Sequence, residues 1–519
     1  MTLLVDIANT SARVAATRSR NAKRDTLAQT LSRLHPDEIA LGVSYLAGRL
    51  PQGRIGIGPA AVRNASNVAA AGEPGLLLEG ADSAIEAIIA CTGKGSIGQR
   101  QSLLADLFSR CTAVEQKFLI GILVSELRQG ALDGVMVEAI ATATGSTASE
   151  VRRAHMLSGD LAAVADTARR KGDRGLAEYR LVLGKPVQSM LAQSADDVAG
   201  ALGALSAALL DYKMDGARVQ VHKNGPDVSV FSRRLNDVSA SVPEIVETVS
   251  SLDVESLVLD GETIALNPAG RPLPFQTTMR RFGRTKDVAA MRAKLPLSVL
   301  FFDCLHVDGT DLIDRAATER LDALDTIVPA PHRMPRQLTD DVEAAETFLA
   351  KALAAGHEGI MAKDPASLYE AGKRGGAWLK IKQSHTLDLV VLAAEWGSGR
   401  RRGWLSNLHL GARDEATGQF TMLGKTFKGL TDATLAWQTE ALLAREIGRD
   451  AYTVYVRPEL VVEIRFNEVQ TSAQYPGGMS LRFARVKGYR PDKSAADADT
   501  VATVRAIHLS TASTATTAS

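Results

Sequence analysis

The stretch DYKMDGARVQVHK, residues 211–223, determines how the central third of the chain folds and which chemistry it can carry. Lys213 lies between Tyr212 and Met214, an Asp-Gly pair follows, and the alternating run after it is typical of a β-strand. Because Asp-Gly favours a tight turn, the lysine is predicted to lie just before a turn, at the mouth of that strand. The pattern alone fits a solvent-exposed lysine as well as a nucleophile, since Lys-x-Asp-Gly is expected by chance roughly 0.1 times in a chain of this length.

The composition is that of an ordinary globular protein. The chain has 519 residues, of which 45% are hydrophobic and 23% are charged, and its formal net charge is +1. This length predicts about two to four domains. The near-zero net charge neither implies nor excludes a nucleic-acid partner, so any electrostatic footprint must be local.

The cysteine count and the hydropathy pattern narrow the class further. Cys91, Cys111 and Cys304 are too few for a disulfide framework, and they cannot build a four-cysteine zinc module. No apolar run approaches the ~20 residues of a membrane span, and the N-terminus lacks the pattern of a signal peptide. We therefore expect a cytoplasmic protein that does not associate with membranes.

The hydrophobic periodicity and the composition of the sequence change along the chain. Residues 1–180 place apolar residues at intervals of three and four, as in SLLADLFSRCTAVEQKFLIGILV, and are predicted to be helical. Residues 183–383 contain short alternating runs separated by Gly, Asn, Pro and Asp, which predicts an α+β region with antiparallel hairpins. Residues 384–493 are expected to form a small barrel or sheet. Residues 494–519 are rich in Ser, Thr and Ala and are predicted to be disordered.

Further motifs follow the lysine in order. LVLDGETIAL (257–266) places Glu262 after a Gly turn, LFFDCLHVDG (300–309) places Phe302 on a strand, and EGIMAK (358–363) carries an acid and a lysine. WLKIK (378–382) puts two lysines on one strand face, and SLRFARVKGYRPDK (480–493) is strongly basic. Each motif alone is typical of a solvated surface. Together they supply a nucleophile, carboxylates, an aromatic plate and several cations, which nucleotidyl transfer requires.

In order and spacing these motifs resemble the ATP-dependent DNA ligases of the lysine nucleotidyltransferase superfamily, above all the larger bacterial and archaeal single-chain forms. The resemblance covers nearly the whole chain except its last ~25 residues. It implies an all-α DNA-binding domain over 1–180, an α+β adenylation domain over 183–383 and a C-terminal OB-fold over 384–493. It also implies sealing of nicks in duplex DNA through a lysine-AMP intermediate, by a monomer that serves replication, repair or recombination in the nucleoid.

The resemblance assigns a role to individual residues. Lys213 is the nucleophile that takes AMP from ATP. Carboxylates expected to hold Mg²⁺ or Mn²⁺ are Asp215, Glu262 and Glu358. The expected ATP contacts are Asp211, Arg218, Arg233, Glu262, Phe302, Lys363, Arg374, Lys380, Lys382 and Arg490. The expected DNA contacts, from the basic loop GSGRRRGW and the last motif, are Arg400, Arg401, Arg402, Arg482 and Arg485.

The sequence departs from the family's motifs at two positions, and other classes of protein with the same core have to be weighed. Asp211 stands where the family often has Glu, read as a contact to the adenine amino group, and Gly488 stands where it often has a basic residue. The same core serves mRNA capping enzymes and RNA ligases, although the helical N-terminal third and the forms of the later motifs speak against capping. An NAD-dependent ligase would need the four-cysteine module. A catalytically silent DNA-binding scaffold is disfavoured by the intact lysines and carboxylates.

Overall fold

The computed structural model describes residues 1–53, 56–127, 129–130, 133–371, 375–382 and 384–516. Within these ranges no helix has both the length and the apolar composition that a membrane crossing requires. The elements fall into a helical N-terminal region, a central region of two sheets and a C-terminal region rich in strands.

The N-terminal region is helical, as the apolar spacing predicted. One apolar core, from Leu4 to Leu176, holds its helices together. The helices are α1 Leu4–Ala16, α2 Arg20–Arg33, α3 Ile39–Leu46, α4 Pro59–Ala65, α5 Leu78–Ala90, α6 Ser96–Ser109, α7 Ala113–Leu123, α8 Asp133–Thr144, α9 Ala148–Ser158 and α10 Leu161–Leu176.

Helix α7 shows how the local sequence sets an element. Thr112 and Glu115 form a capping box in which the carboxylate of Glu115 accepts hydrogen bonds of 2.7 Å from the backbone N–H and the hydroxyl of Thr112. Phe118, Leu119 and Ile122 follow at intervals of one and three and are buried. The cap begins the helix, and the apolar stripe attaches it to the core.

The central region contains two five-stranded sheets and the helices around them. Its strands are β1 Gln193–Ser194, β2 Ala208–Lys213, β3 Ala217–Asn224, β4 Asp227–Ser232, β5 Ser256–Ala265, β6 Leu297–Val307, β7 Thr310–Asp311, β8 Arg336–Thr339, β9 Gly359–Lys363 and β10 Trp378–Lys382. Its helices are α11 Val198–Leu205, α12 Pro243–Ser250, α13 Phe275–Phe282, α14 Val288–Lys294, α15 Ala317–Ile327 and α16 Val342–Ala354.

The strand orders are β1-β10-β9-β2-β8 and β4-β3-β5-β6-β7. All pairings in the two sheets are antiparallel except β1 with β10, which confirms the predicted α+β class. In the first sheet, the strands β2, β9 and β10 place apolar residues on one face, where they pack with α11 and α16. Because successive side chains alternate, their polar residues share the other face.

A second apolar cluster fills the space between the polar face of the first sheet and the second sheet. It contains Phe302 of β6 and Trp378 of β10, together with Tyr369 from the loop between β9 and β10. Met156 and Leu157 of α9 belong to the same cluster, so the helical region packs directly against this part of the central region. Arg153 of α9 adds an ion pair to Asp314, with 2.6 Å between Nη2 and Oδ2.

The C-terminal region is built from antiparallel strands with two helices. They are β11 His385–Trp396, β12 Leu405–Arg413, β13 Phe420–Thr426, α17 Asp432–Leu443, β14 Glu446–Arg449, β15 Thr453–Val456, β16 Val461–Phe466, β17 Glu468–Thr471, β18 Met479–Arg482, β19 Arg485–Tyr489 and α18 Val501–Thr516.

Seven of these strands form one branched sheet, because the long strand β11 pairs with β12, β15 and β16. Strands β17 and β18 form a separate hairpin. In the described residues the strand pairing does not close into a barrel. The C-terminal region is therefore strand-rich, as expected, and its assignment as an OB-fold is taken up below as a proposal.

The prediction of a disordered tail over 494–519 is wrong for much of its length. Residues Ala495–Asp497 form a short 3-10 helix, and α18 follows. Val504 is fully buried in the C-terminal core, and Val501 and Ile507 pack against it. These three residues recur at helical spacing, and the surrounding Ser, Thr and Ala hid this short stripe in the composition.

The central and C-terminal regions also meet through one side chain. Arg465 of β16 donates from Nη1 to Oδ1 of Asp196 at 2.6 Å, and its Nε donates to Oγ of Ser384 at 2.9 Å. Asp196 lies just after β1, and Ser384 lies between β10 and β11. Arg465 therefore links the start of the C-terminal sheet to the edge of the first central sheet.

Candidate active site

Lys213 ends strand β2 and lies opposite Gly359, the first residue of β9. On the other side of β9, Gly359 pairs with Lys382, the last residue of β10. A Cβ on Gly359 would lie 2.1 Å from the carbonyl oxygen of Ile381, so only glycine permits this approach of the strands. The glycine in EGIMAK thus brings two lysines from different motifs to the same row of the sheet.

Glu358 lies between these two lysines. Its Oε2 is 2.6 Å from Nζ of Lys213 and 2.7 Å from Nζ of Lys382. Burial alone would raise the pKa of Glu358, but the two ammonium groups outweigh it and hold that pKa below its ordinary value. Glu358 is therefore an ionised carboxylate that holds both lysines in place.

Two further carboxylates belong to the same cluster. Burial, with the nearby charge of Glu358, raises the pKa of Asp215 to about 6. Burial raises the pKa of Glu262 to about 7, although Lys213 and Arg218 oppose this shift. Two acids with raised pKa values beside a lysine mark a site where a cationic partner would be favourable.

Gly216, in the quoted Asp-Gly pair, makes the second close approach. A Cβ there would lie 2.3 Å from the carbonyl oxygen of Thr263, and its backbone N–H is hydrogen-bonded to Glu262. This contact explains why the turn after Lys213 needs glycine. It also holds Glu262 close enough to the lysine for the two charges to interact.

Arg218 takes a position that the sequence did not predict. Its Nε donates to Oδ1 of Asp260 at 3.0 Å, and its Nη2 donates to the hydroxyl of Tyr369 at 3.1 Å. The guanidinium carbon lies 5.3 Å from the ring centroid of Phe302 and 5.7 Å from that of Trp378. The Arg218 side chain is therefore held in a buried ion pair with Asp260. It packs against Phe302 and Trp378, which together form the aromatic wall of the site.

Asp260 and Tyr369 are the site residues that sequence reasoning missed. Tyr369 donates to Oδ2 of Asp260 at 2.7 Å and accepts a hydrogen bond of 3.1 Å from the backbone N–H of Met190. Asp260 is fully buried. The Asp of LVLDGE was the available signal, since an acid at an inward-facing position of a buried strand needs a cationic partner.

Lys363 also lies deeper than expected. Its Nζ is 2.5 Å from Oδ2 of Asp211 and donates to the carbonyl oxygen of Phe302 at 3.0 Å. Both side chains of the ion pair are about 3% exposed. In this structure Lys363 contacts Asp211, Phe302 and Trp378, and its expected contact with phosphate stays a prediction.

Two other predicted ATP contacts, Arg233 and Arg490, lie outside this cluster. Arg233 is exposed in the turn after β4. Arg374 lies outside the described residues. Arg490 is paired with Asp388 of β11, at 3.0 Å between Nη1 and Oδ2, and with Asp492 at 2.6 Å between Nη2 and Oδ2.

A cleft of about 1000 Å³ separates the first central sheet from the C-terminal region. Its lining includes two exposed aromatic residues, Phe427 and Phe483. Its basic lining residues are Lys380, Lys382, Arg401, Lys428, Arg465 and Arg485. The cleft therefore joins the lysines of WLKIK to two of the predicted DNA contacts.

The other predicted DNA contacts lie around the cleft. Arg400 and Arg402 are exposed beside Arg401. Arg482 is paired with Glu468 across the β17–β18 hairpin, and its positive charge opposes the rise in the pKa of Asp215. The hairpin thus faces the carboxylates near Lys213. Nucleotidyl transfer needs a nucleophile, carboxylates, cations and an aromatic surface for the base. The lysine, the carboxylates, the flanking lysines and the aromatic wall of this site provide these groups and define it as the site of a nucleotidyl-transfer enzyme.

Comparison with known proteins identifies the family to which this nucleotidyl-transfer enzyme belongs. The description "ATP dependent DNA ligase domain" matches residues 189–382, "ATP dependent DNA ligase C terminal region" matches 401–493, and "DNA ligase N terminus" matches 61–141. A "Probable DNA ligase" of Anaeromyxobacter sp. (strain Fw109-5) is 56% identical over 507 residues, 97% of this chain and 98% of that protein. The chain belongs to the ATP-dependent DNA ligase family.

Other relatives agree. A "Probable DNA ligase" of Mycobacterium marinum is 53% identical over 514 residues, which cover 98% of this chain and 100% of that protein. Among solved structures, "Pmar-Lig_PreS3" has a TM-score of 0.58 and 18% sequence identity, and the match covers 93% of this chain and 99% of that chain. At this identity the solved structure supports the fold alone.

Proposed function

We propose that this ligase seals 3'-OH/5'-phosphate nicks in duplex DNA, and that Lys213 carries AMP between ATP and the DNA. The observation that carries the proposal is the shared carboxylate: Glu358 holds Lys213 at 2.6 Å and Lys382 at 2.7 Å. Nucleophile and phosphate-binding cation are thereby fixed beside each other before a nucleotide binds. Positioning of this kind supplies much of the acceleration in phosphoryl chemistry.

In the first step the lone pair of Lys213 Nζ attacks the α-phosphorus of ATP. A P–N bond forms, the bond from that phosphorus to the bridging oxygen breaks, and pyrophosphate leaves with the electron pair. Attack requires the neutral amine, so Lys213 must lose a proton and its contact with Glu358. Lys380 and Lys382 would stabilise the charge that develops on the oxygens of the α-phosphate.

In the later steps the nucleotide passes to DNA. An oxygen of the 5'-phosphate attacks the phosphorus of the lysine-AMP, and Lys213 leaves as the amine. The 3'-hydroxyl then attacks the 5'-phosphate, and AMP leaves as the phosphodiester bond forms. In this scheme Glu262 binds the ribose hydroxyls, Phe302 stacks on adenine, and Arg374 contacts ATP. Arg233 and Arg490 contact ATP only after the enzyme closes around it.

The carboxylates fit a divalent cation that is also held by substrate. Among the described residues no three His, Cys, Asp or Glu side chains converge as a preformed metal site. Asp215 nevertheless has its pKa raised by burial and by the charge of Glu358, a repulsion that a cation would relieve. Mg²⁺ or Mn²⁺ bound by Asp215, Glu358 and Glu262 would neutralise phosphate charge, and Mg²⁺ commonly uses few protein ligands plus phosphates.

DNA is proposed to lie in the basic cleft. Arg401 and Arg485 line it with Lys428 and Arg465, and Arg400, Arg402 and Arg482 lie beside it. Contacts of this kind grip the phosphate backbone without reading sequence, which suits an enzyme that acts at any nick. Lys380 and Lys382 also line the cleft, and Lys382 shares Glu358 with Lys213, so DNA bound there would lie near the AMP-carrying lysine.

The remaining assignments follow from the same scheme. We infer domain boundaries at 1–180, 183–383 and 384–493, and each unit has an apolar core of its own; the C-terminal core also takes in Val504 of α18, which follows the last boundary. The C-terminal unit is inferred to be an OB-fold that closes over ATP and then turns toward DNA. The enzyme is inferred to act as a monomer on chromosomal DNA in replication, repair or recombination.

Transfer of label from ATP tests the proposal. Protein incubated with α-labelled ATP and Mg²⁺ should become covalently labelled, and Lys213→Ala should not. Addition of nicked duplex should then release the label and join the strands in a single turnover. Labelling that persists in Lys213→Ala, or labelling from GTP or NAD in place of ATP, would contradict the assignment.

A further inference from the structure

Asp388 is a buried acid of strand β11 that holds two cations of the last basic motif. Its side chain is 10% exposed. Its Oδ2 lies 3.0 Å from Nη1 of Arg490 and 2.6 Å from Nζ of Lys493. Two positive charges that contact the same oxygen would repel each other strongly without it, so this carboxylate is what keeps the two cations together.

The backbone fixes this arrangement independently of the side chains. The N–H of Asp388 donates to Oδ2 of Asp499, and the N–H of Asp499 donates to the carbonyl oxygen of Asp388, both at 2.8 Å. The N–H of Arg490 donates to the carbonyl oxygen of Val461 at 2.9 Å, and a turn then brings Lys493 back, with its N–H 3.1 Å from the carbonyl oxygen of Arg490. Acid and cations therefore occupy set positions on the C-terminal sheet.

The two acids that pair with Arg490 differ in burial. Nε and Nη2 of Arg490 donate to Asp492 at 2.9 and 2.6 Å, but the side chain of Asp492 is 58% exposed. An exposed partner is replaced by water or by a ligand at little cost, whereas loss of its cations would leave the buried Asp388 charged and uncompensated. A ligand can therefore take the Nε edge of Arg490 while Nη1 stays on Asp388.

This edge fits a phosphate group. A guanidinium edge with two N–H donors binds two phosphate oxygens side by side. The hydrogen bond to Asp388 raises the pKa of Lys493, so a second positive charge stays beside that edge. In the proposed mechanism Lys380 and Lys382 act on the α-phosphate, and neither is assigned to the pyrophosphate that leaves.

We propose that Asp388 is a positioning residue for pyrophosphate, because it holds Arg490 and Lys493 as a pair whose free donors receive the leaving group when the C-terminal region closes over ATP. This inference rests on the proposed function and deepens it. The same pair binds the pyrophosphate that attacks the lysine-AMP in the reverse reaction, in which the P–N bond breaks, ATP forms and Lys213 leaves as the amine. The steps that follow the departure of pyrophosphate do not use the pair.

Three assays on the full-length protein test this role. They measure labelling of Lys213 from α-labelled ATP, release of ATP from preformed lysine-AMP as pyrophosphate is added, and sealing of a nick already adenylated at its 5'-phosphate. In Asp388→Asn the amide keeps the shape of the side chain and removes its charge. Labelling should slow about tenfold and the pyrophosphate concentration for half-maximal release should rise about tenfold, as loss of one charge-assisted hydrogen bond predicts. Sealing of the adenylated nick should stay at the wild-type rate.

Matched variants separate positioning from general damage. Glu446→Gln removes a paired carboxylate from β14 of the same sheet and should leave all three assays unchanged. Arg490→Ala should reproduce the defect of Asp388→Asn, and the double variant should be little worse than Arg490→Ala alone, because the acid acts through the cations. If Asp388→Asn does not fold, Asp388→Glu supplies the second route, since it keeps the charge but displaces the carboxylate and should also raise the pyrophosphate requirement.

The outcomes are distinct. An unchanged pyrophosphate requirement in the folded variant overturns the inference, and so does an equal loss in all three assays, which would show a structural role alone. Failure of wild-type protein to take label from ATP would instead overturn the proposed function.

Discussion

Removal of the Asp260 carboxylate should destabilise the central region strongly. The Asp260 side chain is completely buried, with 0% exposed, and the Arg218 side chain paired with it is only 15% exposed. In Asp260→Ala the guanidinium keeps its bond of 2.6 Å to the carbonyl oxygen of Met190, but it loses its counter-charge. Tyr369 loses its acceptor at the same time.

The size of the effect follows from this burial. Breaking one side of a buried ion pair costs about 3–5 kcal/mol, because the remaining charge is left without compensation. For a region of about 200 residues this corresponds to a fall in Tm of roughly 6–20 °C. Scanning calorimetry of the full-length protein should show the fall in the transition that ATP stabilises.

Two comparisons make the result decisive. Asp227→Ala removes an exposed acid at the start of β4 and should leave Tm nearly unchanged. The double variant Asp260→Leu with Arg218→Leu removes both charges and should be more stable than Asp260→Ala, because no lone charge stays buried. A fall below about 2 °C in Asp260→Ala, or a double variant less stable than the single, would refute the reasoning.

Three further outcomes are expected. Glu358→Gln should slow labelling of Lys213 from ATP by about 100-fold, since a neutral amide no longer holds the lysine; labelling within twofold of wild type would contradict this. Burial lowers the pKa of His222 to about 4, so stability of about 3 kcal/mol is present above pH 6.5 and lost as the pH falls toward 4. His222→Gln should flatten the Tm difference between pH 7.5 and pH 5, and identical pH profiles would disprove it. In nick binding, Arg401→Ala with Arg485→Ala should reduce the slope of log K against log salt by about 2, whereas an unchanged slope would exclude them as phosphate contacts.

The placement of Lys380 and Lys382 on one strand face was predictable, because strand alternation is a short-range rule. Lys213 and Lys382 end their strands opposite Gly359, and Glu358 directly precedes that glycine. Residues two apart on a strand share a face whatever the rest of the fold does. The α+β class and the helical N-terminal region follow from similar local periodicities.

What could not be predicted depends on contacts between distant segments. Tyr369 lies 109 residues after Asp260, and nothing in the loop sequence indicates that its hydroxyl reaches that acid. The depth of Lys363 depends on how the second sheet covers the first, which periodicity does not describe. The helix at the C-terminus was missed for another reason: three apolar residues were too few to outweigh a Ser-, Thr- and Ala-rich composition.

The junction between the central and C-terminal sheets lies directly next to the proposed catalytic cluster. Strand β10 ends at Lys382 and β11 begins at His385, so the rotation proposed for the C-terminal region would act next to a residue that is paired with Glu358. Formation of the lysine-AMP would remove Lys213 from that carboxylate and leave Lys382 as its partner. Before AMP is attached, Glu358 beside the junction would be held by Lys213 and Lys382; afterwards it would be held by Lys382. A movement at the junction would therefore act on different contacts in the two states. The covalent state of Lys213 could in this way set how freely the C-terminal region turns from nucleotide to DNA.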